Sequence, residues 1–171
     1  MLRDKSLIPL SHQHQRALAL CVRIERAQPI PEKDLEAWRA EIQGQFEHEI
    51  KIHFAAEEDV VFPVARDFAR LIPLVDELLV DHASLRGAFS QIEERQISSK
   101  SLAGFAQQLS AHIRKEERQL FEGMQEFMTA DELATLGQRL EIALKDAAGS
   151  CAVPSAATRL RQRSKPIVGR Y

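Results

Sequence analysis

Two stretches decide the fold. Residues 53–62 read His53-Phe54-Ala55-Ala56-Glu57-Glu58-Asp59-Val60-Val61-Phe62, and residues 112–121 read His112-Ile113-Arg114-Lys115-Glu116-Glu117-Arg118-Gln119-Leu120-Phe121. Both carry His-x-x-x-Glu-Glu followed by a Phe. Residues four apart stack on one helix face, so His53 pairs with Glu57 and His112 with Glu116. Apolar residues flank both pairs: Ile50, Phe54 and Val61 around the first, Leu109, Ile113 and Leu120 around the second. A solvated His–Glu pair would have polar flanks instead.

Working outward, the helical period continues. Ile42, Phe46, Ile50, His53, Glu57 and Val61 share the inner side of a helix that begins near Glu32 and runs past Phe62, with Pro63 expected to kink or end it. Phe105, Leu109, His112, Glu116, Leu120 and Met124 do the same on another. An earlier helix is expected to start at Ser11 as N-cap, to carry Leu18, Cys21, Val22 and Glu25 on one face, and to end at Pro29 and Pro31. A further helix begins near Pro73 with Leu74, Leu78, Leu85, Phe89 and Ile92 as its stripe. Ser98, Ser99 and Ser101 read as a turn and cap. A short fifth helix is expected from about Asp131 to Lys145. No strand is legible. Long helices joined by short turns predict an all-α, antiparallel up-down-up-down four-helix bundle with a short extra C-terminal helix.

The chain has 171 residues, 44% hydrophobic and 28% charged, with a net charge of −2. That suits one globular domain. No apolar run reaches the length of a membrane span, and no secretory signal follows Arg3, Asp4 and Lys5. Two cysteines, Cys21 and Cys151, cannot form a disulfide framework, so a cytoplasmic, reducing setting is expected. Residues 149–171 hold Arg159, Arg161, Arg163, Lys165 and Arg170 and no acid. The division expected is therefore a helical domain over 1–148 and a basic flexible tail over 149–171. An acidic body argues against nucleic acid as partner. A protein partner for the tail is left open.

The chain is a loose repeat of two helix pairs. His14 lies four residues before Leu18, and His82 three before Leu85, so each pair offers one lone His and one His-x-x-x-Glu. Four imidazoles and two carboxylates would then converge inside the bundle. Buried charges need partners or a metal. Two metals could each take two His, with Glu57 and Glu116 between them and positions open for a small ligand. Mixed imidazole and carboxylate donors suit iron, with manganese or zinc as alternatives. Competing motifs fail. No His has a Glu three residues before it, as a ferritin-like site needs. His48-Glu49-Ile50-Lys51-Ile52-His53 is one residue too long for a zinc-protease helix.

At these residues, over about 8–128, the chain resembles the hemerythrin-like HHE cation-binding family. The resemblance implies a four-helix bundle holding a non-haem di-iron centre, with His14, His53, Glu57, His82, His112 and Glu116 as ligands. His14 is preferred to His12 because the family pattern places a ligand four residues before a Leu. Oxygen-carrying hemerythrins have a second His one turn after the third-helix ligand, where this chain has Arg86, and end in His-x-x-x-x-Asp rather than His112-x-x-x-Glu116. The implied relatives are therefore regulatory or uncharacterised HHE proteins rather than the five-His oxygen carriers. Arg86 is expected to snorkel to water, its alternative being a hydrogen bond to a bridging carboxylate or an anion. Glu49 is an even choice between accepting from a ligand imidazole and facing solvent. Asp81 is expected to face away.

The function implied is binding or sensing of O2 or NO, or of iron or redox state. A small di-iron oxidase, a peroxide-consuming enzyme or an iron donor in damage repair stands second, since no substrate-pocket signature accompanies the motif. A metal-free helical interaction module stands third.

Overall fold

The structure, a computed structural model, describes residues 2–145. The expected basic tail over 149–171 lies outside the described residues. Among those described, the chain is helical throughout with no strand.

The first helix is Ile8–Arg26. It starts three residues before the expected Ser11 cap. Pro9 is tolerated in the first turn, where an N–H has no intrahelical partner, and Leu7 and Leu10, both fully buried, anchor that turn. The inner face carries Leu10, His14, Ala17, Cys21 and Ile24. Val22 and Glu25, expected on one face with Cys21, are exposed while Cys21 is buried.

The second rod is continuous. Glu32–Gln45, Lys51–Ala56 and Phe62–Ala65 are α-helical, and wider π-helical turns at Phe46–Ile50 and Glu57–Val61 join them. In the second of these the N–H of Phe62 reaches back five residues to the carbonyl of Glu57. Pro63 does not end the rod. It falls in the first turn after the widened one, where its missing N–H costs least.

The third helix is Ile72–Glu93, with Pro73 in its first turn. It buries Val75, Leu78, His82, Leu85, Phe89 and Ile92, while Leu74 is only partly covered. The fourth rod joins Ser99–Lys115 to Phe121–Phe127 through a third π-turn, Glu116–Leu120. Ser98 caps it, accepting from the N–H of Ser101 while Ser101 Oγ accepts from the N–H of Ser98. Ala130–Ala143 forms a last helix, capped by Thr129 with Glu132.

Contacts tie the ends together. Arg3, just before the first helix, bonds Glu117 and Gln125 on the fourth rod. Beyond the other end of the first helix, the N–H of Ile30 donates to Ser99 Oγ at the start of the fourth rod, at 2.8 Å.

The core falls into two apolar clusters. One gathers Leu10, Val61, Phe62, Leu78, Phe121 and Met124, with Leu133, Leu136 and Leu140 of the last helix. The other gathers Leu20, Ile42, Phe54, Leu85, Phe105 and Leu109. Along the first helix His14 lies between Leu10 and Ala17, and along the third His82 lies between Leu78 and Leu85. A polar layer therefore separates the two halves of the core.

Candidate metal centre

The polar layer is built by four elements. The first helix supplies His14, the second rod His53 and Glu57, the third helix His82, and the fourth rod His112 and Glu116. Every one is buried: Glu57, His82 and Glu116 are 0% exposed, His112 2%, His14 3% and His53 4%. The structure thus brings together all six residues picked out from the sequence. His12 and His48 are exposed.

The ring Nε2 atoms face one another. Those of His14 and His53 are 2.9 Å apart, and those of His82 and His112 are 3.1 Å apart. The two carboxylates lie between these pairs. Glu57 Oε1 is 3.1 Å from His53 Nε2, and its Oε2 is 3.4 Å from His82 Nε2. Glu116 Oε2 is 3.2 Å from His14 Nε2 and 3.3 Å from His112 Nε2. Two overlapping donor groups result, His14–His53–Glu57–Glu116 and Glu57–His82–His112–Glu116, each with donor atoms within 4.8 Å of one another.

All four carboxylate oxygens of Glu57 and Glu116 are buried without a hydrogen-bond partner. A dry, unsatisfied carboxylate is expensive, and two side by side are more so. Cations coordinated by both oxygens satisfy them, and imidazole with carboxylate is a donor set that first-row metals accept. The residues present fit a metal pair.

The outer ring nitrogens are also placed. His14 Nδ1 bonds Glu117 Oε1 at 2.7 Å, His53 Nδ1 bonds Gln13 Oε1 at 2.6 Å, and His82 Nδ1 bonds Glu58 Oε1 at 2.7 Å. His112 Nδ1 has only Asp81 Oδ2 nearby, at 3.6 Å, too long for a hydrogen bond. An acceptor at Nδ1 keeps the proton there and leaves the Nε2 lone pair facing inward.

Electrostatics follow the geometry. Burial disfavours a charged His14 ring, but the nearby Glu116 carboxylate, the hydrogen bond that His14 makes to Glu117 and the charge of Glu57 outweigh it and raise its pKa to about 10. Burial would raise Glu57, yet the charge of the adjacent His53 ring, and the closeness of His82, hold it well below the usual carboxylate range. Glu117 is likewise pulled down to about 2: burial opposes, while His14 and Arg3 donate to it and Ser11 lies close.

Aromatic rings wall the layer. Phe54 stacks on His82 with centroids 3.8 Å apart, and Phe121 stacks on His14 at 5.6 Å. A narrow cavity reaches the layer beside His14, His53 and Glu116, bounded by Ile50, Phe54 and Ile113. Glu49 also borders it but accepts from Arg16 Nε at 2.6 Å rather than from an imidazole. Arg86 does not simply reach for water: its Nη1 donates to Glu58 at 2.7 Å. Asp81, expected to face away, approaches His112.

Sequence reasoning gave Glu58, Glu117 and Gln13 no role. The second Glu of each repeat was the available signal. The π-turns beginning at Glu57 and Glu116 left no sequence signal.

Comparison with known proteins agrees with this geometry. A sequence model described as the hemerythrin HHE cation-binding domain matches residues 9–123. No curated protein and no solved structure matches the chain.

Proposed function

Because the chain belongs to the hemerythrin HHE cation-binding domain family, we propose that it holds two non-haem iron ions in its polar layer and uses them to bind or sense O2 or NO, or to report iron or redox state. The observation that carries the reading is the set of four orphaned carboxylate oxygens on Glu57 and Glu116, ringed by four imidazole nitrogens. In this reading His14 and His53 would hold one ion and His82 and His112 the other, with Glu57 and Glu116 as the carboxylate donors. Manganese or zinc would fit the same donors. The same reading takes the four long rods as an antiparallel up-down-up-down bundle with the last helix outside it, and the contacts of that helix with the second rod support this.

An iron pair with six protein ligands supplies one-electron redox chemistry and open positions for a small exogenous molecule. The chain's own part is to fix the donors, keep water scarce through Phe54, Phe121 and the apolar clusters, and leave a narrow approach. The narrow cavity disfavours turnover of any larger substrate, since it admits no more than a very small molecule. No helix among the described residues is long and apolar enough to cross a membrane. A cytoplasmic setting belongs to the same proposal.

The test is anaerobic loading with ferrous iron, metal analysis, and absorption spectra before and after air. The reading expects two irons per chain and a ligand-to-metal band on exposure. Fewer than one iron per chain with no such band would overturn it.

A further inference from the structure

The histidines are gripped from behind, and the charged grips cross between helix pairs. Glu58 follows Glu57 on the second rod and so faces a different side of it. It turns its Oε1 to His82 on the third helix, 2.7 Å away. Glu117 follows Glu116 on the fourth rod and reaches His14 on the first helix, also at 2.7 Å. Each of these carboxylates is pinned in turn by an arginine. Arg86 Nη1 donates to Glu58 Oε1 at 2.7 Å, and Arg3 Nη2 donates to Glu117 Oε2 at 2.6 Å. Each guanidinium also lies over a ring that stacks on the gripped histidine, Arg86 over Phe54 at 5.5 Å and Arg3 over Phe121 at 5.2 Å. One construction, arginine to glutamate to histidine with a phenylalanine beside it, thus occurs twice.

We propose that Glu58 and Glu117 are the positioning residues of the metal pair, each locking one imidazole of the opposite helix pair with its Nε2 lone pair turned inward. This rests on the two-metal reading above. A carboxylate acceptor fixes the tautomer and makes the ring a stronger donor than a neutral acceptor does. The other two histidines lack such an acceptor: His53 has the Gln13 amide, and Asp81 stays 3.6 Å from His112. Each donor group therefore contains one charge-braced ring, His14 in one and His82 in the other. The second Glu of the repeat has a role distinct from the first. Glu57 and Glu116 face the metals, while Glu58 and Glu117 orient rings on neighbouring helices.

The experiment titrates metal-free parent, Glu58→Ala, Glu58→Gln, Glu117→Ala and Glu117→Gln with Co(II) in competition with a chelator, following uptake and the Co(II) absorption bands. Each Ala variant is expected to lose roughly ten- to hundredfold in affinity for one of the two equivalents, with the bands of that equivalent shifted. Each Gln variant, which keeps an oxygen acceptor without the charge, is expected to recover part of the loss. Ala variants that bind both equivalents with parent affinity and spectrum overturn the proposal, as do Gln variants no better than Ala. Should an Ala variant fail to fold, the Gln variant decides: affinity and bands identical to the parent overturn it. A parent that takes up fewer than one metal per chain fails at an earlier point, bringing down the two-metal reading and this proposal with it.

Discussion

His14 and His53 approach so closely that their Nε2 atoms are 2.9 Å apart. Two imidazole lone pairs do not settle at that distance facing each other. A proton or a metal cation must lie between them, and the carboxylates of Glu57 and Glu116 beside them favour either. The local charge is therefore arranged to receive cations.

Adding ferrous iron without oxygen should raise the melting temperature of the parent, since a ligand at a hundred times its Kd adds about 2.7 kcal/mol. His53→Ala and Glu116→Ala each remove a donor and should lose most of that rise. Thermal melts followed by circular dichroism check it. An equal rise in parent and variants would place the iron elsewhere.

Phe54→Ala should cost about 3–5 kcal/mol. The ring is 2% exposed, stacks on His82 and meets His112 edge-on. Urea unfolding should show a lower midpoint at unchanged slope. A loss under about 1 kcal/mol would mean the polar layer repacks freely.

Two glycine substitutions should move in opposite directions. A Cβ at Gly137 would lie 2.8 Å from Ser6 Cβ and 3.1 Å from Ser6 Cα. That overpacking costs about 1–3 kcal/mol and exceeds the helix-propensity gain of about 1 kcal/mol. A Cβ at Gly87 meets nothing within 4 Å, so Gly87→Ala should stabilise by about 0.5–1 kcal/mol. Paired denaturation curves decide both signs.

Cys21 should resist alkylation in the folded protein. Burial pushes its thiol up to about 12 from an ordinary 9.0, and the thiolate is the reactive form. The raised value also sets a sign. The contribution of this thiol to stability is whole below pH 9 and declines as pH climbs toward 12. Iodoacetamide labelling located by peptide mass spectrometry, with and without denaturant, checks the first point. Rapid labelling of Cys21 at pH 8 without denaturant would refute it.

Much of the layer was legible because its donors sit at helical spacing on apolar stripes. His53, Glu57, His112 and Glu116 could be placed from that rule alone. The phase of the first helix was harder. Leu18 and Val22 look as apolar as Ala17 and Cys21, and only packing against the fourth rod selects the second set. The grips of Glu58 and Glu117 depend on which helix stands beside which, which one chain's periodicity does not report. The partner of Arg86 was hidden for the same reason: Glu58 lies 28 positions away.

The wide turns at Glu57–Val61 and Glu116–Leu120 have a mechanical consequence. Each acts as a slipped tooth in an otherwise regular thread, so the stretch before it and the stretch after it keep separate angular settings. Ile50 and Phe54 mesh with one apolar cluster while Val61 and Phe62 mesh with the other. An uninterrupted winding would force a compromise between the two. Glu57 and Glu116 stand at the slip itself, the first residue of each wide turn, so the two buried carboxylates are set where the two angular settings meet.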